Sequence, residues 1–228
     1  MTNVREVRKS VDSRAEQCGR KGAVSLMAVS KTHPYSAILD CYEEGQRLFG
    51  ENRVQEVCEK FPPVSQRPDG MKLCLIGHLQ RNKVKKILPL VDRIDSVDST
   101  ALMDELEKEL AKTDRCIEIL FEINSSHEEQ KSGFADEKAL FEAADHLALC
   151  PHLILKGLMT VGPLGFDEEK NRAAFRYAKA LFDRLRQRFD LTVLSMGMSA
   201  DYLQAIEEGS TEVRIGTAIF GQRTYDAT

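Results

Sequence analysis

The sequence predicts a (β/α)8 barrel, the TIM-barrel fold. Eight short apolar or β-branched segments recur along the 228 residues, and segments of helical composition lie between them. This alternation requires a parallel sheet, because each return to the same end of the sheet needs a crossover helix. Most of the strand segments are almost continuously apolar, as is typical of strands covered on both faces. An open, doubly wound sheet is the alternative, but no G-x-G-x-x-G motif follows the first strand.

Apolar runs that end in polar or glycine residues define the predicted strands. Their β-branched content favours extended backbone, and eight of them are enough to close a barrel of this type. In chain order they cover residues 25–31, 47–52, 72–78, 93–98, 116–124, 153–161, 192–199 and 212–220.

Proline and glycine set the boundaries of the predicted helices. The first of them follows Pro34 and stops at Gly45, and the next two end before Pro62 and Pro89. Ser99 is in position to cap the fourth helix through its hydroxyl. The predicted helices cover residues 35–45, 53–61, 82–88, 99–112, 136–150, 167–189 and 200–208.

The remaining N-terminal segment, residues 1–21, is charged throughout and predicts an extra helix that covers the bottom of the barrel. No linker or low-complexity tract divides the chain, so we expect a single domain over residues 1–228. The 32 basic and 36 acidic residues give a net charge of −4, which excludes the strong basic excess of a dedicated nucleic-acid binder. No apolar stretch approaches the roughly 18 residues that cross a bilayer. We therefore expect a cytoplasmic protein with neither a nucleic-acid nor a membrane partner.

Lys31 follows an apolar strand, at the end of the barrel where functional groups cluster. A period of two residues puts Met27, Val29 and Lys31 on one face of that strand. If this face is the barrel interior, apolar walls surround the amine and desolvation lowers its pKa. A neutral amine can form a Schiff base with an aldehyde. The alternative is a solvated lysine just past the strand end.

Two glycine turns near the C-terminus predict an anion site. Gly197 and Ser199 precede a helix expected to begin near residue 200, where free N–H groups and the helix dipole favour an anion. Gly216 permits close backbone approach, and Thr217 offers a second hydroxyl. Barrels often bind phosphate with the loops after strands seven and eight. The glycines could instead merely end strands while Ser199 caps a helix. Together with Lys31, the anion site predicts an aldehyde that carries a phosphate, pyridoxal 5′-phosphate (PLP).

Seven ordered segments between about residues 24 and 223 resemble those of the YggS/PROSC family, the pyridoxal phosphate homeostasis proteins. The segments are AVSKTHP, LFGENRVQE, LIGHLQRNK, IDSVDS, GLMTVGP, LSMGMSADYLQAI and GSTEVRIGTAIFG. The resemblance implies a single barrel like the N-terminal domain of bacterial alanine racemase, a fold-type III PLP protein.

The same resemblance implies residue roles and a function. It assigns the Schiff base to Lys31, sets Arg214 against the pyridine nitrogen and puts Asn52 near the cofactor ring. The phosphate contacts that it implies are Met198, Ser199, Gly216 and Thr217. The implied function is to hold PLP within the cell and to buffer it or supply it to PLP-dependent apo-enzymes.

Arg214 and the domain content favour a carrier over an enzyme. A guanidinium only donates hydrogen bonds, so the pyridine nitrogen opposite it stays unprotonated and the ring is a weaker electron sink. Alanine racemases add a β domain and a tyrosine from the partner chain, and we expect this chain to lack both and to be a monomer. We therefore assign no catalytic residue. The alternative is a PLP-dependent amino-acid racemase or lyase.

Other functional interpretations of the polar residues stay open at this point. A metal-dependent hydrolase would use His33, His78 and His127, although their spacing matches no metal motif. A cofactor-free aldolase could use the barrel lysine but leaves Arg214 unexplained. His78 and Tyr225 are better interpreted as a pocket wall and a tail residue than as bases. The basic cluster at residues 81–86 predicts a solvated helix face, with contact to an anionic partner as the alternative.

Overall fold

Eight parallel strands close into a barrel in the computed structural model, and each strand pairs with the next until β8 meets β1. The structure describes residues 2–125, 132–163, 165 and 167–221. The strands are β1 (Ser25–Val29), β2 (Leu48–Glu51), β3 (Lys72–Leu75), β4 (Arg93–Val97), β5 (Ile117–Ile123), β6 (Leu153–Thr160), β7 (Val193–Ser195) and β8 (Glu212–Ile215). The predicted (β/α)8 barrel is confirmed.

Helices connect the strands and pack their apolar faces onto the core. They are α1 (Val4–Gln17), α2 (Tyr35–Glu43), α3 (Val54–Lys60), α4 (Val84–Ile87), α5 (Thr100–Leu110), α6 (Glu137–His146), α7 (Glu168–Leu185), α8 (Tyr202–Glu207) and α9 (Thr217–Phe220). Ser99 is the predicted N-cap of α5, and its Oγ accepts a hydrogen bond from Leu102 N. Among the described helices, none is both long and apolar enough to cross a membrane.

The predicted strands run too far at their C-terminal ends. β1 stops at Val29 and not at residue 31, and β8 stops at Ile215 although the prediction continued it to residue 220. Gly216 has φ −111° and ψ −77°, outside the β region, so the ladder cannot continue through it. The apolar residues after Gly216 form the single turn of α9. This turn buries Ile219 in the core, so its apolar composition is similar to that of a strand.

The predicted N-terminal helix is present as α1 and packs beside α8 and α9, and its covering of the barrel bottom stays a prediction. Its Ser10 hydroxyl lies 2.9 Å from the Tyr202 hydroxyl of α8, and Arg14 Nη1 lies 2.6 Å from Glu207 Oε1. At its start, Asn3 N donates to Ile219 O of α9. Because α9 is only four residues long, the outer ring has room beside α8, and α1 fills it.

Ion-paired side chains fill part of the barrel interior. Arg93 of β4 donates to Asp95 through Nε at 2.6 Å, and its Nη2 donates to Glu212 Oε1 of β8 at 2.7 Å. These strands are not neighbours in the sheet, so the contact runs across the inside of the barrel. Arg214 is buried there as well. Burial raises the pKa of the Asp95 carboxyl, and the Arg93 guanidinium opposes that rise.

We predict that Val11→Ala lowers the free energy of unfolding by about 2 kcal/mol, because it removes buried methyl groups and leaves a cavity between α1 and the barrel. Val11 is buried, whereas its neighbour Asp12 on the same helix is exposed. Urea denaturation measures both variants, with Asp12→Ala as the control that stays within about 0.5 kcal/mol of wild type. An equal effect of the two substitutions would show that α1 does not pack as part of the outer ring of helices.

Candidate functional site

A cavity of about 280 Å³ opens where the C-terminal ends of several strands meet. It brings together residues that are far apart in sequence but adjacent at the barrel rim. All seven residues singled out from the sequence line it: Lys31, Asn52, Met198, Ser199, Arg214, Gly216 and Thr217. The strand ends therefore assemble one site, as expected for this fold.

Lys31 lies in a turn just beyond β1, and its side chain is half-buried. The next residue, Thr32, has φ +67°, a left-handed conformation that a β-branched residue rarely adopts. Thr32 N donates to Glu56 Oε2 of α3 at 2.9 Å. Such a conformation persists only where surrounding contacts hold it, and it is found most often at functional sites. The turn that carries Lys31 is thus strained and anchored.

A buried ion pair holds the other side of this turn. Glu51 Oε1, at the end of β2, accepts hydrogen bonds from Ser30 Oγ and from Lys60 Nζ, both at 2.7 Å. Lys60 Nζ also donates to Ser30 O at 2.9 Å. Burial raises the pKa of the Glu51 carboxyl, and the bonds from Lys60 and Ser30 oppose that rise. β2 and α3 therefore fix the backbone on both sides of Lys31.

The opposite wall of the cavity offers hydrogen-bond donors without acceptors. The N–H groups of Ser199, Ala200 and Thr217 and the hydroxyls of Ser199 and Thr217 donate to no acceptor among the described residues. Gly197 has φ +94°, and a Cβ there would lie 2.5 Å from Ala205 Cβ, so this turn requires glycine. A cluster of unused N–H and O–H donors is suited to an anion.

Two details of this wall differ from the sequence prediction. The helix expected near residue 200 begins at Tyr202, and Asp201 precedes it in place of a capping Ser199. Met198 N donates to Asp201 Oδ1 at 2.6 Å, so the N–H of this lining residue is already used. The anion wall is therefore made by the turn itself and by the turn at Gly216, where a Cβ would lie 3.1 Å from Val29 O.

Arg214 forms the buried end of the cavity. Its Nη1 donates to Ser195 Oγ at 2.9 Å and its Nη2 donates to Thr160 O at 2.7 Å, which tie it to β7 and β6. Burial lowers the pKa of the guanidinium, while Asp95 and Glu212 oppose that change. An arginine remains protonated under such a shift, so Arg214 presents only donors to the cavity.

Asn52 offers the complementary feature, an acceptor. Its Oδ1 is buried and has no hydrogen-bond partner among the described residues. An unsatisfied buried polar atom costs about 1–3 kcal/mol, and a ligand donor at this position would remove that cost. Asn52 also lines a second hollow beside the cavity.

Further residues line the cavity that the sequence did not single out as binding residues: Val29, His33, Ile76, Val161 and Ala200. They lie at or next to strand ends, and this position in the barrel was the signal that could have identified them. His33 stacks on Phe220 with ring centroids 4.9 Å apart. His78 does not line this cavity. It lines the second hollow, and its Nδ1 lies 3.1 Å from Asp98 Oδ2.

The residues of the metal alternative do not converge in the described part of the chain. His33 and His78 lie in different hollows, and His127, like Tyr225, lies outside the described residues. Within the described ranges, three groups of metal-ligating type approach one another only at Asp104, His146 and Cys150, which do not line the cavity. Burial raises the pKa of the Cys150 thiol to about 11, which disfavours the thiolate that a metal would need.

Comparison with known proteins agrees with this geometry. The alanine racemase N-terminal domain family matches residues 3–224. A pyridoxal phosphate homeostasis protein of Haemophilus influenzae is 37% identical over 230 residues, covering 99% of this chain and 97% of the relative. The human protein of the same name is 37% identical, covering 88% of this chain and 77% of its own length. The chain belongs to the pyridoxal phosphate homeostasis protein family.

Solved structures place this family member among alanine racemase-like barrels. PipY of Synechococcus elongatus, solved with PLP bound, has a TM-score of 0.80 and 35% identity, covering 92% of this chain and all of PipY. Alanine racemase of Corynebacterium glutamicum has a TM-score of 0.66 at 19% identity, covering 94% of this chain and 60% of the racemase. The second likeness shows the shared fold alone.

We predict that Lys60→Met lowers the free energy of unfolding by about 3–5 kcal/mol, because it leaves the fully buried Glu51 carboxylate without its cation. Adding Glu51→Gln to the same chain should recover part of the loss. Urea denaturation measures both. The control is Lys21→Met, which removes an exposed pair with Glu16 and should cost less than about 1 kcal/mol. Equal losses in Lys60→Met and Lys21→Met would contradict a structural role for the buried pair.

Proposed function

We propose that this protein binds PLP in the cavity at the barrel mouth, with Lys31 attached to the aldehyde carbon, and holds it for buffering or supply. The observation that carries the proposal is the placement of one amine, one buried guanidinium and a set of unused donors on three walls of a single cavity. The names of the relatives and the PLP bound to PipY support the choice of cofactor.

The residues present fit this group. The cavity of about 280 Å³ lies near the lower end of ligand pockets, which run from about 300 Å³ upward, and it suits a compound with a single ring. The donors of Ser199, Ala200 and Thr217 would hold the phosphate, and the orphaned Asn52 Oδ1 would accept a hydrogen bond from the ring hydroxyl. Val29, Ile76 and Val161 supply apolar walls for the ring.

Arg214 determines which chemistry the site supports. PLP acts as an electron sink for carbanions when its pyridine nitrogen is protonated. Arg214, which we assign to face that nitrogen, only donates hydrogen bonds and therefore keeps the nitrogen unprotonated. Asp95 and Glu212 keep the guanidinium charged inside the barrel. This arrangement favours retention of the cofactor over turnover of amino acids.

Lys31 would supply the amine that condenses with the aldehyde of PLP, with release of one water molecule. Glu56 and Lys60 hold the backbone on either side of Lys31, so the amine keeps one position at the rim. Because the mouth of the barrel lies beside this turn, the bond to the cofactor is accessible to water and to an acceptor protein. The proposal extends to a cytoplasmic monomer that passes PLP to PLP-dependent apo-enzymes, and sedimentation of the loaded protein tests the monomer.

The alternative is an amino-acid racemase or lyase of the alanine racemase type. It predicts exchange of the Cα hydrogen of some amino acid with solvent deuterium when the loaded protein is present. NMR of each common amino acid in deuterated buffer measures this exchange. We expect no exchange above the rate with free PLP, and catalysed exchange would replace the carrier assignment by an enzymatic one.

We predict that Lys31→Ala abolishes the visible absorption band of the loaded protein, because no other lysine lines the cavity in the part that the structure describes. In wild type, borohydride should fix the cofactor, and peptide mapping should find the label on Lys31. The control is Lys156→Ala, whose amine pairs with Asp190 away from the cavity. A label on any other residue, or colour retained in Lys31→Ala, would overturn the site assignment.

We predict that Thr217→Val weakens binding of pyridoxine 5′-phosphate by about 10- to 100-fold, the effect of one lost hydrogen bond to a charged group. This ligand carries the phosphate but no aldehyde, so the measurement is independent of Lys31. Calorimetric titration gives the affinity. Pyridoxine, which lacks the phosphate, should bind wild type and variant equally, and a similar loss for both ligands would argue against a phosphate contact at Thr217.

A further inference from the structure

One short basic segment, residues 81–86, forms no close ion pair within the described residues. Ten lysines along the described chain lie within 4 Å of a carboxylate oxygen: Lys9, Lys21, Lys60, Lys72, Lys108, Lys112, Lys138, Lys156, Lys170 and Lys179. By contrast, Arg81, Lys83, Lys85 and Lys86 form no side-chain hydrogen bond or ion pair with the described residues. Of these four, only Lys85 interacts at longer range with a carboxylate of the described residues, that of Glu109, although the chain has 36 acidic residues.

Part of this segment borders a hollow of about 580 Å³, which we call the basic hollow and define by Arg53, His78, Gln80, Lys83 and Lys86. No carboxylate lines it among the described residues. The two acids beside the lining residues do not line the hollow themselves: Asp98 Oδ2 contacts His78 at 3.1 Å, and Glu56 Oε1 lies 4.0 Å from Arg53 Nε. The hollow therefore presents net positive charge on a protein of net charge −4.

The position of the basic hollow connects it to the cofactor site. Asn52 lines both the hollow and the cavity that contains Lys31. Any molecule that covers the hollow thus lies beside the mouth through which PLP enters and leaves. α3 and the segment that leads into α4 form this side of the rim.

We propose that the basic hollow is a docking surface for an acidic protein surface, carried by the acceptor that takes PLP from the cavity. This inference rests on the proposed function. The side chains of Arg53 and His78 are mostly exposed, and Lys86 is exposed as well. Exposed cations hold a small anion weakly, because salt screens each contact. Spread over a surface, they add up to a field that steers an acidic partner and accelerates encounter.

The first experiment compares two double variants that remove the same charge. Lys83→Gln/Lys86→Gln changes the hollow, and Lys108→Gln/Lys112→Gln changes two lysines in or just after α5 that pair with Glu105 and Glu109 of that helix. The probe is an acidic PLP-dependent aminotransferase stripped of its cofactor, and the readout is its rate of reactivation by the loaded protein. We expect about tenfold slower transfer for the hollow variant at low salt, with the difference lost at high salt. The control variant should match wild type.

The second experiment measures peptide binding in the absence of the cofactor. A fluorescent decaglutamate peptide should bind wild type and the control variant, and bind the hollow variant about tenfold more weakly. Equal peptide binding and equal transfer rates in the two double variants would overturn the docking surface. Saturation of the hollow by inorganic pyrophosphate in preference to the peptide would also overturn it, in favour of a small-anion site. Loss of PLP binding by wild type would refute the proposed function alone, because the peptide arm does not depend on it.

Discussion

The buried guanidinium of Arg214 is the constraint on which the site depends. A charge inside the barrel is tolerated only if charges of opposite sign and hydrogen bonds surround it. Asp95 and Glu212 supply the opposite charge, and Arg93 ties these two carboxylates together across the barrel. The ionic layer forms only when the barrel is closed, since it joins strands that are not neighbours in the sheet. The charged Arg214 at the floor of the cavity is therefore stabilised only in the closed barrel.

The two ends of the cavity are built by different means. At the Lys31 end, a strained turn is held by charged side chains of β2 and α3, so that the position of the amine depends on a buried ion pair. At the anion end, the backbone turns at Gly197 and Gly216 expose N–H groups without acceptors. One end is thus fixed by side chains and the other by main-chain geometry. The distance between the Lys31 end and the anion end is therefore fixed for a ligand that spans both.

The exposed part of the rim beside the cavity carries positive charge in the basic hollow. The cavity itself is small and more apolar than polar, whereas the adjacent basic hollow is larger and its lining includes Arg53, Lys83 and Lys86. Retention of a cofactor and recognition of a protein place different demands on a surface. Retention needs desolvated and converging groups, and recognition needs exposed and distributed ones. In the proposed function these demands fall on two separate hollows, which share Asn52 as a common wall.

The sequence alone determined the fold and predicted seven of the residues that line the cavity. Alternation of strands and helices predicted a closed barrel, and in such a barrel residues at strand ends must meet, which brought Lys31, Ser199 and Arg214 together correctly. It did not determine the helical turn after Gly216 or the place of α1 beside α8, because a buried single turn and a strand have the same composition. Only the tertiary structure revealed the ion pair of Glu51 with Lys60 and, within the described chain, the lack of close ion pairs at residues 81–86. Pairing of charges depends on distances between elements, and no pattern along one chain contains those distances.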